Sequence, residues 1–152
     1  TGATLMAEAT VWAGLGGMAL SAFTAASPLP FQSEPVFLGL LATDTVPLWP
    51  LLITASLANT AGSMLTHAIG RAAGAGGSRW LPLSDRRRAR AEAWFARWGR
   101  WSLLLSWAPG GDILVALSGL ARLPVLQTLA LVALAKTARY AALAGLARLL
   151  TG

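Results

Sequence analysis

The sequence predicts an all-α integral membrane protein. Spanning helices frame two opposed re-entrant helical hairpins in an inverted repeat, with an amphipathic cytoplasmic helix between the halves. Three observations predict it. The chain of 152 residues is 55% apolar and only 12% charged, against roughly 25% charge in an ordinary soluble domain. Its charge-free runs, Ala9 to Ser33 and Thr45 to Gly70, each exceed the ~18 positions that mark a membrane-spanning helix. Proline- and glycine-centred breaks then fall at corresponding places in the two halves. The length suits one domain, residues 1–152. With no cysteine, disulfide scaffolds, thiolate metal sites, Fe–S clusters and cysteine nucleophiles are removed.

A first helix is expected over 9–26. No basic segment precedes it and the apolar run is long, which argues against a removable signal peptide. Residues 27–45 hold Pro28, Pro30 and Pro35 and set Glu34 inside an apolar stretch. Proline removes a backbone donor, so a helix entering this segment should stop there, and the segment reads as a first re-entrant hairpin. A spanning helix follows over 47–72, opened by Pro47. In its middle Asn59, Thr60, Gly62 and Ser63 make a small polar stripe suited to close helix packing.

Seven of the twelve basic residues lie between Arg79 and Arg100, against Asp85 and Glu92 alone. The positive-inside rule puts residues 74–100 in the cytoplasm. Gly74, Gly76 and Gly77 form a loose connection there. Ser84 with Asp85 then caps a helix over 84–99. Trp94, Trp98 and Trp101 recur at helical spacing with Ala91 and Phe95 beside them, which sets indoles against arginines and suits the membrane interface. A solvated basic helix is the alternative. The apolar remainder argues against nucleic acid as the partner of this patch.

Residues 101–120 form the second hairpin, broken at Pro109, Gly110 and Gly111 ahead of Asp112. A half-helix from Trp101 to Ala108 reaches about 12 Å into a hydrocarbon core ~30 Å thick. A single kinked span is the alternative in both hairpins. The last spanning helix, over 123–148, is interrupted only by Lys136 and Arg139. Glu34, Pro47 and Arg71 in the first half answer to Asp112, Pro124 and Arg148 in the second, which is the repeat pattern of transporters with inverted halves.

An ionised side chain costs at least ~2.5–3.5 kcal/mol at the centre of a membrane helix, so such residues face the interior and find partners. Lys136 and Arg139, three residues apart on one face, can hold an anionic group, with Glu34 and Asp112 as counter-charge or proton carriers. Structural ion pairs are the alternative, as is snorkelling of the two cations to the interface. His67 has no histidine or cysteine nearby, so no metal and no cofactor are expected. Gly111-Asp112 matches half of an intramembrane aspartyl protease motif. However, Pro109 stands at the first glycine position, and the second aspartate would have to be Asp44. No nucleophile elbow or P-loop is present, and the chain is not expected to be an enzyme.

The runs Phe31-Gln-Ser-Glu-Pro, Ala55-Ser-Leu-Ala-Asn-Thr-Ala-Gly with Gly70-Arg71, and Arg90-Ala-Glu-Ala-Trp-Phe-Ala-Arg-Trp-Gly are followed by Leu105-Ser-Trp-Ala-Pro-Gly-Gly-Asp with Ser118-Gly119-Leu120, and by Ala135-Lys-Thr-Ala-Arg-Tyr. In that order, across Ser21 to Leu146, they resemble the DedA family, whose core is also called the VTT or SNARE-associated domain, and its YqaA-like branch most. The resemblance implies a multi-pass bacterial inner-membrane protein with two facing hairpins. It also implies a flippase or scramblase that moves an anionic lipid such as undecaprenyl phosphate or a phospholipid, with possible coupling to protons. It attaches importance to Glu34, to the Pro109–Gly111 tip with Asp112, and to Lys136, Arg139 and Tyr140. The arginines that other members carry around the second tip are absent here, which leaves Arg139 for the phosphate. The expected pathway is therefore Glu34, Asp112, Lys136, Arg139 and Tyr140, with hairpin tips at Pro30, Pro35, Pro109, Gly110 and Gly111 and secondary candidates Asn59, Gly62 and Arg71. A proton-coupled transporter of a small cation or drug is the alternative. The Gly- and Ala-rich helix faces also allow a homo-oligomer or a membrane scaffold.

Overall fold

The computed structural model describes residues 1–27, 29, 31–74 and 85–152, the side chains of Arg87 and Arg88 excepted. Every regular element among them is helical: α1 (Gly2–Ala26), α2 (Glu34–Ala42), α3 (Leu48–Gly74), α4 (Asp85–Trp98), a 3-10 helix (Arg100–Trp107), α5 (Asp112–Leu120) and α6 (Val125–Thr151). Two of them, α1 and α6, are long and apolar enough to cross a membrane.

The central element is α3, which packs against α1, α5 and α6. At about 1.5 Å per residue it is long enough to span, but polar residues dilute its hydropathy. Those residues are turned inward. Ser56, Asn59, Thr60, Ser63, Thr66 and His67 are buried, whereas Trp49, Ile53, Leu57 and Leu65 are exposed. A helix polar inside and apolar outside is ordered for a hydrocarbon solvent, the reverse of a helix on a soluble domain.

Pairings along α3 fix the direction of its neighbours. Asn59 Nδ2 donates to the Ala22 carbonyl at 2.7 Å and Thr66 Oγ1 to the Ala26 carbonyl at 2.8 Å. With Gly62 seated on the Phe23 carbonyl, α1 runs alongside α3 in the same direction. Chain reversal brings α2 back toward the start of α3, where Phe37 joins Met18, Leu51 and Ala55 in the main apolar core. On the other flank Ser63 meets Asp112, Gly70 meets Ala116 and Gly74 meets Leu120, so α5 descends toward the end of α3. The 3-10 helix climbs beside the start of α6, with Arg100 on Gln127 and Leu103 against Leu131. Each helical hairpin thus inserts from a different end of α3.

The two halves match element by element. A nine-residue helix opened by an acidic residue, α2 or α5, is followed by a twenty-seven-residue helix, α3 or α6. Two residues past each short helix the chain turns through a left-handed, non-glycine residue, Asp44 (φ 49) or Arg122 (φ 58). Each long helix is entered from a proline, Pro47 or Pro124, whose carbonyl accepts the first amide bond, from Leu51 or Thr128.

Several expectations change. The first helix begins at Gly2, not Ala9. Pro35 starts α2 rather than breaking a helix, because at the second helical position its missing N–H has no partner to lose. Pro28, Pro30, Gly76, Gly77, Arg79 and Ser84 lie outside the described residues. Trp101 does not continue the indole face of α4, because Gly99 (φ 70) ends that helix. The segment after it is 3-10, not α. At ~2.0 Å per residue a 3-10 helix carries its end about 4 Å further over eight residues than an α-helix.

Contact between α3 and α5 depends on glycine. A Cβ at Gly119 would overlap the His67 carbonyl, and one at Gly70 the Ala116 carbonyl, whereas Gly39 has open space around it. Gly119→Val should therefore lower thermal stability in detergent by the equivalent of about 3 kcal/mol, the upper range for overpacking. Gly39→Ala should leave it unchanged or raise it slightly. Equal melting temperatures for the two variants would show that the helices are not in contact at Gly119.

Candidate functional site

Both short helices begin with a carboxylate, where the partial positive charge of a helix N-terminus favours one. Those N-termini meet the same turn of α6. Lys136 Nζ donates to Asp112 Oδ1 at 2.7 Å, and one turn on Arg139 pairs with Glu34. The i, i+3 spacing of the two cations is what lets one helix face receive both hairpins. Ser63 Oγ adds a bond to Asp112 Oδ1 at 3.2 Å, which ties the second hairpin to the middle of α3 as well.

The two pairs differ in environment. Lys136 is fully buried (0% exposed), whereas Arg139 and Glu34 keep 21% and 22% of their side chains open. A buried ammonium left without its carboxylate would be an uncompensated charge. Asp112 keeps 27% of its side chain open and borders a cleft with Glu34 and Arg139, so that of the four charged groups Lys136 alone is sealed from it.

Next to the outer pair, Tyr140 is held at its hydroxyl and at its ring. Its hydroxyl shares a 2.6 Å hydrogen bond with Ser33 Oγ, and its ring lies 5.1 Å from that of Phe37. Ser33 stands at the N-cap of α2 but makes no capping bond; its hydroxyl is given to α6 instead. Sequence reasoning passed over Ser33, although a serine directly before a helix-opening glutamate is a signal that could have found it.

A cleft of about 1580 Å³ runs between the hairpins, with Glu34, Asp112 and Arg139 at one level of its wall. Small-molecule sites occupy roughly 300–1,000 Å³, so this space exceeds what a compact solute needs. Below the charged level its wall is apolar, formed by Ile113, Leu117 and Leu120 of α5, and it ends at Arg90 and Trp94 of α4. Of the expected tips, Pro35, Pro109 and Gly110 border the cleft, while Gly111 is buried against the Leu105 carbonyl, 2.6 Å from where a Cβ would stand. Pro30 lies outside the described residues.

The secondary candidates separate. Asn59 borders the cleft, and with its Nδ2 anchored on α1 its Oδ1 has no partner. Gly62 serves helix packing against Phe23. Arg71 is exposed and reaches the Leu123 carbonyl at 3.4 Å, away from the charged level. His67 is buried, with Nδ1 on Ser118 Oγ at 2.8 Å. On α4 the buried residues are Ala91 and Phe95, and Trp94 Nε1 bonds Ser102 Oγ at 3.3 Å. The placement of Arg90 and Trp94 on the cleft had no signal in the sequence beyond their helical neighbourhood.

Removing one member of a buried ion pair typically costs about 3–5 kcal/mol, because the survivor is left uncompensated. Asp112→Ala should destabilise the protein by about that much, and adding Lys136→Met should restore most of it. Glu34→Gln, at the more open pair, should cost far less. Unfolding midpoints in detergent read all three. A double variant as unstable as Asp112→Ala alone would remove the Lys136–Asp112 pair as the cause.

Inner membrane protein YqaA of Escherichia coli K12 is similar to this chain, with 34% identity over 117 residues, 73% of this chain and 77% of that protein. The protein of the same name from Shigella flexneri gives the same figures. An uncharacterized protein of Haemophilus influenzae is 34% identical over 118 residues, covering 70% of this chain and 69% of its own. No family model and no solved structure matches the chain.

Proposed function

The chain belongs to the DedA family, in the branch of the inner membrane protein YqaA, and from that premise we propose that it is a lipid translocase whose cleft carries a phosphate-bearing head group while the acyl or prenyl tail stays in the bilayer. It resides in the inner membrane. The two hairpins are re-entrant. At nine residues, or about 13 Å, α2 and α5 are each too short to cross a core of ~30 Å. The matched lengths and turns of the two halves support an inverted repeat about the membrane plane. The end of α3 that carries Arg71, with Arg90 and Arg97 of α4 and Arg100 of the 3-10 helix, faces the cytoplasm under the positive-inside rule.

One observation carries this reading: the convergence of two helix N-termini with Lys136 and Arg139 on one level of a cleft whose remaining wall is mostly apolar. The formal charges of the four side chains cancel, and each helix N-terminus adds roughly half a positive charge. The excess is positive, which suits an anion. Arg139, at the open pair, is the group that takes it. A planar guanidinium offers two parallel donors to phosphate oxygens, and Glu34 is the carboxylate displaced. Lys136 and Asp112 hold the tip in place. No covalent step is needed, so the activity is transport and not catalysis. Apolar walls around a charged centre are the surface that a head group with a trailing tail would meet.

Purified protein in vesicles with a fluorescent phospholipid, and separately with a labelled polyprenyl phosphate, should move lipid between leaflets faster than protein-free vesicles. Arg139→Ala should reduce that rate by about tenfold or more, the loss expected for a charge-assisted contact, and Arg139→Lys should keep part of it. Lipid movement at the protein-free rate with both probes would overturn the reading. Uptake of a small cation that depends on Glu34 under the same conditions would replace it with the proton-coupled transporter.

A further inference from the structure

The cleft does not end at the charged level. It continues along α5 to α4, where Arg90 and Trp94 form its far wall. From Asp112 to Leu120 the axis of α5 covers about 12 Å, so Arg90 stands more than one head group away from Arg139. Among the described residues Arg90 has no ion-pair or hydrogen-bond partner. Its neighbours in the cleft are apolar: Ala91 is buried, and Trp94 is pinned by its bond to Ser102. The other described arginines near this end, Arg71, Arg86, Arg97, Arg100 and Arg122, do not line the cleft. Arg97 stacks over Trp98 at 5.5 Å, and Arg100 stacks over Trp101 at 5.7 Å and donates to Gln127.

We propose that Arg90 and Trp94 form a loading station at the cytoplasmic mouth of the cleft, where the phosphate of an anionic lipid of the facing leaflet docks on Arg90 before it reaches Arg139. The inference rests on the translocase reading and adds to it a second anion contact and a preference for lipids of net negative charge. A guanidinium on an interfacial helix attracts anionic head groups. An indole beside it keeps the adjoining glycerol and upper chain in contact with protein at the same depth. The cation on the deeper wall is already neutralised by Glu34, so the unpaired one is met first. The wall between them, formed by Ile113, Leu117 and Leu120 of α5, is apolar, which favours a ligand with a chain attached over a free phosphate.

The chain, reconstituted in phosphatidylcholine vesicles containing a phosphatidylglycerol analogue with a photoreactive diazirine beside its phosphate, tests this directly. Illumination should label the peptide that spans Arg90 to Trp94. Arg90→Ala should reduce the labelling by about tenfold, the loss expected for one charge-assisted contact. Arg90→Lys should retain most of it, and Arg97→Ala, which removes the same charge from the same helix outside the cleft, should leave it unchanged. Equal loss in Arg90→Ala and Arg97→Ala would overturn the proposal in favour of a general surface potential. Loss of labelling in millimolar glycerol 3-phosphate would overturn it in favour of a soluble phosphate site. Labelling reads docking and not movement, so labelled protein that moves no lipid would support the station and remove the translocase reading alone.

Discussion

One ammonium group in the wrong solvent organises this molecule. Lys136 has no exposed surface, and its ammonium is compensated by Asp112 at 2.7 Å. That pairing fixes the height of the second hairpin against α6. Ser63, bonded to the same carboxylate oxygen, fixes its height against α3. With the start of α5 held there, the glycines Gly70 and Gly119 fall opposite carbonyls that only a hydrogen atom can approach, and α5 lies close along α3. The first hairpin meets the same turn of α6 through Glu34 and Arg139. Two ion pairs, one of them anchored on a fully buried lysine, therefore determine where the cleft begins.

The helices around this centre reverse the usual distribution of polarity. Hydroxyl and amide groups of α3 face inward and bond to backbone carbonyls of α1, while its large apolar side chains face out. A lipid solvent offers no hydrophobic gain for packing helix on helix, so close approach through small residues and interhelical hydrogen bonds has to supply the association. The cleft runs along part of that inward face: Asn59, Thr66, Gly70 and Ala73 of α3 all border it. The structural seam and the cleft thus share one helix face, and Asn59 Oδ1, which has no partner among the described residues, lies where the two meet.

The branch of relatives and the inner-membrane setting agree with this arrangement and leave the cargo open. Chemistry narrows it. A cleft larger than a compact solute requires, with cations at two depths and apolar wall between them, suits a ligand that is charged at one end and greasy along the rest. The two halves share a nine-residue helix opened by a carboxylate and a twenty-seven-residue helix entered from a proline.

Much of this could be read from residue order alone. Charge-free runs, proline breaks, the arginine cluster and the paired spacing from Glu34 to Pro47 and from Asp112 to Pro124 are local facts, and local facts suffice for helix positions and for naming the charged residues that had to meet inside. Which carboxylate pairs with which cation was not legible, because Lys136 and Arg139 differ by under one helical turn and only the height of each hairpin tip separates their partners. Nor was the 3-10 form of Arg100–Trp107, the use of Ser33 on Tyr140, or the reach of Arg90 into the cleft, since each depends on a surface contributed by a distant part of the chain. Sequence determined the membrane solvent, the helices and the residues too costly to leave alone; tertiary packing decided their pairing, their exposure and the path between them, because burial and distance are properties of neighbours brought together in space.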